Sequence, residues 1–272
     1  MISHLLLPTD FSESGEELVE KITFFQDLGA RKVTLLHVRR VSYPTPDSPT
    51  DDEYYVWKLK KLATELKEGG WEVRTRCDEG RPALRITEIA EELNVDVIVM
   101  TNHGHGQLKE VMIGSVAMEV LERAKTPVFL HSNDEAAATG QGDTVIHPTD
   151  FSASADLALE WVQQLAAANG RRVLLLNARD QGSVSTFDNA QKNLEHRRKK
   201  LAEGGIKKVE TQILEGRPGR VIPDTISLTP GALVVMGSHG KGWLGDLILG
   251  SVARRVARKG THHVLLTPSS EP

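Results

Sequence analysis

The sequence holds a single cysteine, Cys77, so no disulfide can form within the chain. Aromatic residues make up only 5% of its 272 residues, and the apolar runs are short, such as VDVIVM at 95–100. None approaches the roughly 20 residues that a membrane helix needs, which excludes a spanning helix and leaves no membrane partner to expect. The formal charge of -4 provides no excess of cations for nucleic acid. The apolar stretch in the opening MISHLLLPTD is too short for a secretory signal, and a cytoplasmic protein is the expectation. Catalytic signatures are missing as well: there is no Gly-x-Ser-x-Gly elbow and no metalloprotease motif. A Walker loop is absent because Gly240-Lys241 is followed by Gly242 instead of Ser or Thr. His103 and His105, like His262 and His263, lack the further ligands a metal centre requires. The basic run Arg197–Lys200 reads as the solvated face of a helix.

What the chain does contain is a duplication. LLLPTDFSESGEEL from Leu5 returns as VIHPTDFSASADLAL from Val145, pairing Asp10 with Asp150. EGRPALRITEIAEELNVDVIVMTNHGHG returns as EGRPGRVIPDTISLTPGALVVMGSHGKG, pairing Gly80 with Gly216 and His103 with His239. The small, polar stretch at 132–143 reads as a linker, which sets domains at 1–133 and 142–272. In each half, short Val/Leu/Ile runs alternate with amphipathic stretches of helical length, the pattern of parallel strands joined by crossover helices. Five strands are expected per half: HLLLP, KVTLLHV, WEVRTRC, VDVIVM and TPVFLH in the first, and TVIHP, RVLLLNA, VETQIL, ALVVM and HHVLLT in the second. Ser12 and Ser152, Pro82 and Pro218, and Ser115 and Ser251 mark helix starts. Pro223 and Pro230 are expected to interrupt or shorten the third helix of the second half.

In doubly wound sheets ligands lie at the carboxyl ends of the strands, where the strand order reverses. Asp150 ends the first strand of its half and Gly237 follows the fourth, so both are expected at one crevice. Two parsings of the glycines compete. Gly240-x-Gly242-x-x-Gly245 imitates a dinucleotide fingerprint, yet it follows a fourth strand, and the acidic residue expected about 20 positions on falls near Leu265. The alternative is Gly237-x-x-Gly240, nine residues, then Gly250-Ser251. Here glycines admit an anion to main-chain amides, and the last helix presents its amino terminus and the Ser251 hydroxyl. Lys241 adds a screened charge, and Asp150, away from the phosphates, is placed to accept from ribose or the adenine amine.

With PTDFS, GRP and this glycine spacing, the sequence resembles a tandem of universal stress proteins across both halves. The resemblance implies an α/β fold: two repeated, doubly wound, Rossmann-like domains, each a five-stranded parallel sheet in order 3-2-1-4-5, paired through their last strands. It also implies ATP, or ADP or AMP, with magnesium accompanying the nucleotide. In the second half it places the ligand at Pro148, Thr149, Asp150, Ala178, Met236, Gly237, His239, Gly240, Gly250, Ser251 and Val252. The corresponding positions of the first half are Pro8, Thr9, Asp10, Val38, Met100, His103, Gly104, Gly114, Ser115 and Val116.

The first half departs at Thr101, which stands where the second has Gly237. A β-branched side chain there disfavours a positive φ and occupies space, so the second site is expected to be the stronger and the first weak or absent. Asp10 and Asp150 have a plainer reading as caps of the following helices. The leading expectation is an ATP-binding stress-response regulator that is not an enzyme, with an intrachain pairing of the halves, a homodimer and a protein partner of unstated identity as its interactions. The alternatives are a tandem scaffold with vestigial sites and a slow ATPase or phosphotransfer protein.

Overall fold

The structure, a computed structural model, describes residues 2–40, 52–102, 113–132, 143–168, 170–180, 187–240 and 249–268. Residues 133–142 of the expected linker, residues 41–51, and His103, Gly104, His105, Lys241, Gly242 and Gly245 lie outside the described residues. The chain divides into two compact units, one built from residues up to His131 and the other from Ser132 onward.

The first unit runs β1 (His4–Pro8), α1 (Glu13–Lys21), α2 (Phe24–Asp27), β2 (Lys32–Arg39), α3 (Asp52–Glu68), β3 (Glu72–Glu79), α4 (Pro82–Glu92), β4 (Val97–Thr101), α5 (Ser115–Arg123) and β5 (Val128–His131). Its strands are parallel in the order β3-β2-β1-β4-β5. The second unit runs β6 (Thr144–Pro148), α6 (Ala153–Ala168), β7 (Arg172–Arg179), α7 (Phe187–Glu203), β8 (Val209–Glu215), α8 (Pro218–Ser227), β9 (Leu233–Gly237), α9 (Ser251–Lys259) and β10 (His263–Thr267). Its parallel order is β8-β7-β6-β9-β10, the same arrangement. Both units are the α/β doubly wound sheets expected.

Burial explains which runs are continuous and which are mixed. β1, β4, β6 and β9 are covered on both faces and consist of Leu, Val and Ile with few interruptions. The outer strands β3 and β8 are half exposed, and their charged residues, as in EVRTRCDE, suit an edge that must not recruit another strand.

The helix breaks expected at Pro223 do not occur. α8 passes through this residue, which is buried. Proline has no N–H to give to Gly219, and Arg255 Nη1 of α9 donates to that carbonyl instead, at 2.8 Å. The Pro223 carbonyl in turn accepts from Lys259 Nζ at 3.1 Å and Ser227 Oγ at 2.9 Å. A second correction concerns the basic run on α7. Arg197 is buried, with Nε 2.7 Å from Asp156 Oδ1 and Nη2 2.8 Å from Asp156 Oδ2, so it is an internal ion-pair partner and no part of a solvated face.

Candidate functional site

In the second unit a cavity of about 370 Å³ opens at the carboxyl ends of β6 and β9. Pro148, Thr149, Asp150, Ala178, Met236, Gly237, His239, Gly240, Gly250, Ser251 and Val252 all line it, joined by Ala155, Pro218, Ile222, Ser238 and Ala253. The strand order brings them together: β6 and β9 are neighbours although nearly ninety residues separate them, and their ends form opposite walls of one crevice.

The Pro-Thr-Asp-Phe-Ser turn forms one wall. Phe151 has φ 63° and Phe11 has φ 59°, a left-handed conformation that a bulky side chain adopts only when held. Two side chains hold it. Thr149 Oγ1 accepts from the Phe151 amide at 3.1 Å and Asp150 Oδ1 from the Ser152 amide at 3.0 Å. Thr9 and Asp10 make the same bonds in the first unit, each 3.0 Å. The turn is tied to the next strand by Asn177 Nδ2, which donates to the Thr149 carbonyl at 2.8 Å, and in the first unit by His37 Nδ1 to Thr9 at the same distance. Burial lowers the pKa of His37. A cation covers each phenylalanine: Lys58 lies 5.0 Å from the Phe11 ring centre, and Arg197 lies 4.8 Å from that of Phe151. The left-handed phenylalanine is missed by reading spacing alone, and its only signal is the repetition of Asp-Phe-Ser.

Capping falls to the serines. Ser12 Oγ accepts from the Gly15 amide and Ser152 Oγ from the Ala155 amide, both at 3.3 Å, so the aspartates order the turn one step earlier. Asp150 also lies elsewhere than expected. A Cβ built on Gly240 would stand 2.6 Å from Asp150 Oδ2, so the carboxylate rests against the glycine loop and is not remote from the anion cradle.

Gly250 precedes α9 with no side-chain cap, leaving the first-turn amides of that helix to face the cavity. Its φ of −55° is ordinary. Close approach is what requires a glycine here, since a Cβ would meet the Ser238 carbonyl at 3.1 Å and the His239 main chain at 3.5 Å.

Gly237 likewise has no positive φ, which removes the conformational argument made against Thr101. It ends β9 directly under α6, where a Cβ would collide with Ser154 Oγ and stand 3.0 Å from the Ser154 main chain. In the first unit Thr101 lines a cavity of about 510 Å³, larger than its counterpart, so the side chain does not close the space. Pro8, Thr9, Asp10, Val38, Met100, Gly114, Ser115 and Val116 line this cavity as well, with Gly15 where the second unit has Ala155. Gly237→Thr is therefore expected to cost the second unit about 2 kcal/mol by overpacking. Urea unfolding measures it, and an unchanged midpoint would show that α6 moves away freely.

Among the described residues no three His, Cys, Asp or Glu side chains converge as a metal-binding group. No helix among them is long and apolar enough to cross a membrane.

The universal stress protein family model matches residues 1–131 and again 143–268. A universal stress protein of Methanocaldococcus jannaschii is 28% identical over 155 residues, covering 48% of this chain and 94% of that protein. One from Mycobacterium tuberculosis is 25% identical over 262 residues, covering 88% of each. A solved universal stress protein from Archaeoglobus fulgidus superposes with a TM-score of 0.79 at 24% identity over 98% of each chain, a likeness of fold.

Proposed function

The chain belongs to the universal stress protein family, twice over, and on that premise we propose that it binds an adenine nucleotide, ATP foremost, and acts as a stress-response regulator without being a dedicated enzyme. The observation that carries this reading is the pair of close approaches at Gly240 and Gly250. Any larger residue at either position meets the Asp150 carboxylate or the Ser238 carbonyl, and what the glycines leave open is main-chain amide surface beside an uncapped helix start. Phosphates suit such a cradle. The base and sugar then occupy the end formed by Pro148, Thr149 and Ala178.

The carboxylate of Asp150 beside Gly240 bears on the form of the ligand. A bare phosphate chain is repelled there, whereas a magnesium complex is neutralised and offers Asp150 a cation or its bound water as partner. Magnesium fits this donor set as a companion of the nucleotide. In regulation, an occupied cradle holds residues 237–240 against the start of α9, and the surface presented to a protein partner depends on occupancy.

Titration calorimetry with ATP and magnesium is the test. The wild-type chain is expected to bind. Gly250→Leu is expected to weaken the second site at least about thirtyfold, on the order of 2 kcal/mol, by filling the gap under Ser238. Chelating magnesium is expected to weaken ATP binding in the wild type. A wild-type chain that takes up no adenine nucleotide would refute the proposal and favour a scaffold whose sites are vestigial.

A further inference from the structure

The exposed faces of α4 and α8, equivalent helices of the two repeats, differ in the sign of their charge. On α4, Leu84, Glu88 and Glu91 follow one another along a single outward stripe, with Glu92 beside them. The same positions of the second unit hold Arg220, Asp224, Ser227 and Leu228. Leu84 is 38% exposed, and Leu228, which caps the end of α8, is 82% exposed.

α9 adds cations beside α8. Arg255 and Lys259 fill the seam between the two helices: Arg255 Nη1 donates to the Gly219 carbonyl, and Lys259 Nζ lies 3.1 Å from the Pro223 carbonyl and 3.3 Å from Asp224 Oδ1. Asp224 is thus matched by Lys259. Arg220, Arg255 and Arg258 are exposed, and among the described residues no carboxylate comes within ion-pair distance of them.

The α4 face has the reverse balance. Glu88 pairs with Arg85, Glu91 with Lys125 at 3.1 Å and Glu92 with Arg76 at 2.8 Å. Arg76 and Arg85 also serve Asp78, at 3.1 and 2.9 Å, so four acids share three cations. Exposed pairs of this kind contribute little and exchange readily for a cation on another molecule.

The leucines decide both the partner and its direction. Leu84 to Glu92 and Arg220 to Leu228 are the same length of helix, about 12 Å at about 1.5 Å per residue. Laid antiparallel, α4 of one copy sets Leu84 against Leu228 of another and Glu91 and Glu92 against Arg220. Glu88 then falls at Asp224, where Lys259 answers one acid and Arg258 the other. Laid parallel, the same helices would press acids onto Leu228 and Leu84 onto Arg220. A nucleic acid would meet the cations through its phosphates but would gain nothing from a leucine at the end of the row.

We infer that the α8–α9 face binds the α4 face of a second copy of this chain, antiparallel, with Leu84 on Leu228 and the α4 glutamates on Arg220 and Arg258. The inference stands apart from the nucleotide reading, because none of these side chains lines either cavity. Two different surfaces meet, so each added copy leaves one face of each kind open, and association continues past a pair unless the ends close.

Sedimentation of the full chain at rising concentration is the test. The weight-average mass of the wild type is expected to rise with concentration at low salt and to fall back at about 0.5 M salt. Arg220→Glu with Arg258→Glu is expected to weaken the association at least about tenfold, and so is Glu91→Arg with Glu92→Arg. An equimolar mixture of these two chains is expected to regain wild-type association, since each then offers the charge the other needs, which also shows both to be folded. Leu228→Ser, a change in a side chain already in water, is expected to weaken association about fivefold. Unchanged association in either charge-reversed chain, or a mixture that regains none, would overturn the inference. So would a wild-type mass independent of concentration and salt, whether or not the same cations retain a duplex DNA probe.

Discussion

Asp156→Ala is expected to lower the unfolding free energy of the second unit by about 4 kcal/mol, and Arg197→Met by about half as much. The asymmetry follows from where the two charges sit. The Arg197 side chain is 8% exposed and that of Asp156 is 48% exposed. Removing the acid strands a guanidinium in the interior, beside the Asn193 carbonyl at 3.2 Å and the Phe151 ring. Removing the arginine leaves a carboxylate that water reaches, and methionine recovers part of the packing against Phe151. Urea unfolding of both variants and the wild type measures the difference. Equal costs would mean that the pair is held together by packing and not by charge. The pair also matters for the site, because the phenylalanine that Arg197 covers is the left-handed residue of the turn carrying Asp150.

Acid is expected to weaken the second unit through His147. This residue lies in β6 with no exposed surface, and its Nδ1 donates to the Val235 carbonyl at 2.8 Å. Its Nε2 is buried with no hydrogen-bond partner. Burial is the main cause that lowers its pKa to about 4. The Val235 carbonyl opposes the shift, Arg197 reinforces it, and Asp156 and Asp150 oppose it. The unfolded chain therefore takes up a proton near pH 6.5 and the folded one only near pH 4. Stability from the neutral ring is fully present above pH 6.5 and is lost as the pH falls towards 4, by up to about 3 kcal/mol. His147→Leu, which copies Leu7 of the first unit, is expected to remove this part of the pH dependence. The check is the difference in unfolding free energy between variant and wild type, measured from pH 7 to pH 4.5. A difference that stays constant across that range would contradict the assignment.

Strand identity was legible because the apolar runs are unambiguous, and the strand order came from the family resemblance: HLLLP and TVIHP are β1 and β6 to the residue, and the GRP prolines open α4 and α8 as expected. The residues that line the second cavity were legible through the glycine spacing and the resemblance it carries, since every position expected there borders it. What escaped depended on contacts between distant segments. Pro223 reads as a helix breaker unless Arg255, on the next helix, is known to supply the missing hydrogen bond. Arg197 reads as surface until Asp156 and Phe151 are seen around it. Thr101 reads as an obstruction because a sequence does not report how far a helix lies from a strand. Gly237 is glycine because of Ser154, and the wider first cavity shows that the first unit accommodates a threonine at the equivalent place.

The central position of β6 also has a consequence in time. It pairs with β7 through Ile146 and Leu174, but its other neighbour, β9, follows only after Leu233 has been made. At translation rates of about 5 to 20 residues per second, the ribosome takes roughly 4 to 18 s to cover that interval. Throughout it, the inner edge of the nascent sheet is a strand without its second neighbour, with Val145 and Ile146 among its residues. The nucleotide crevice cannot exist until this edge is closed, so ligand binding can reward only the completed unit and gives no help to the chain during its most exposed interval.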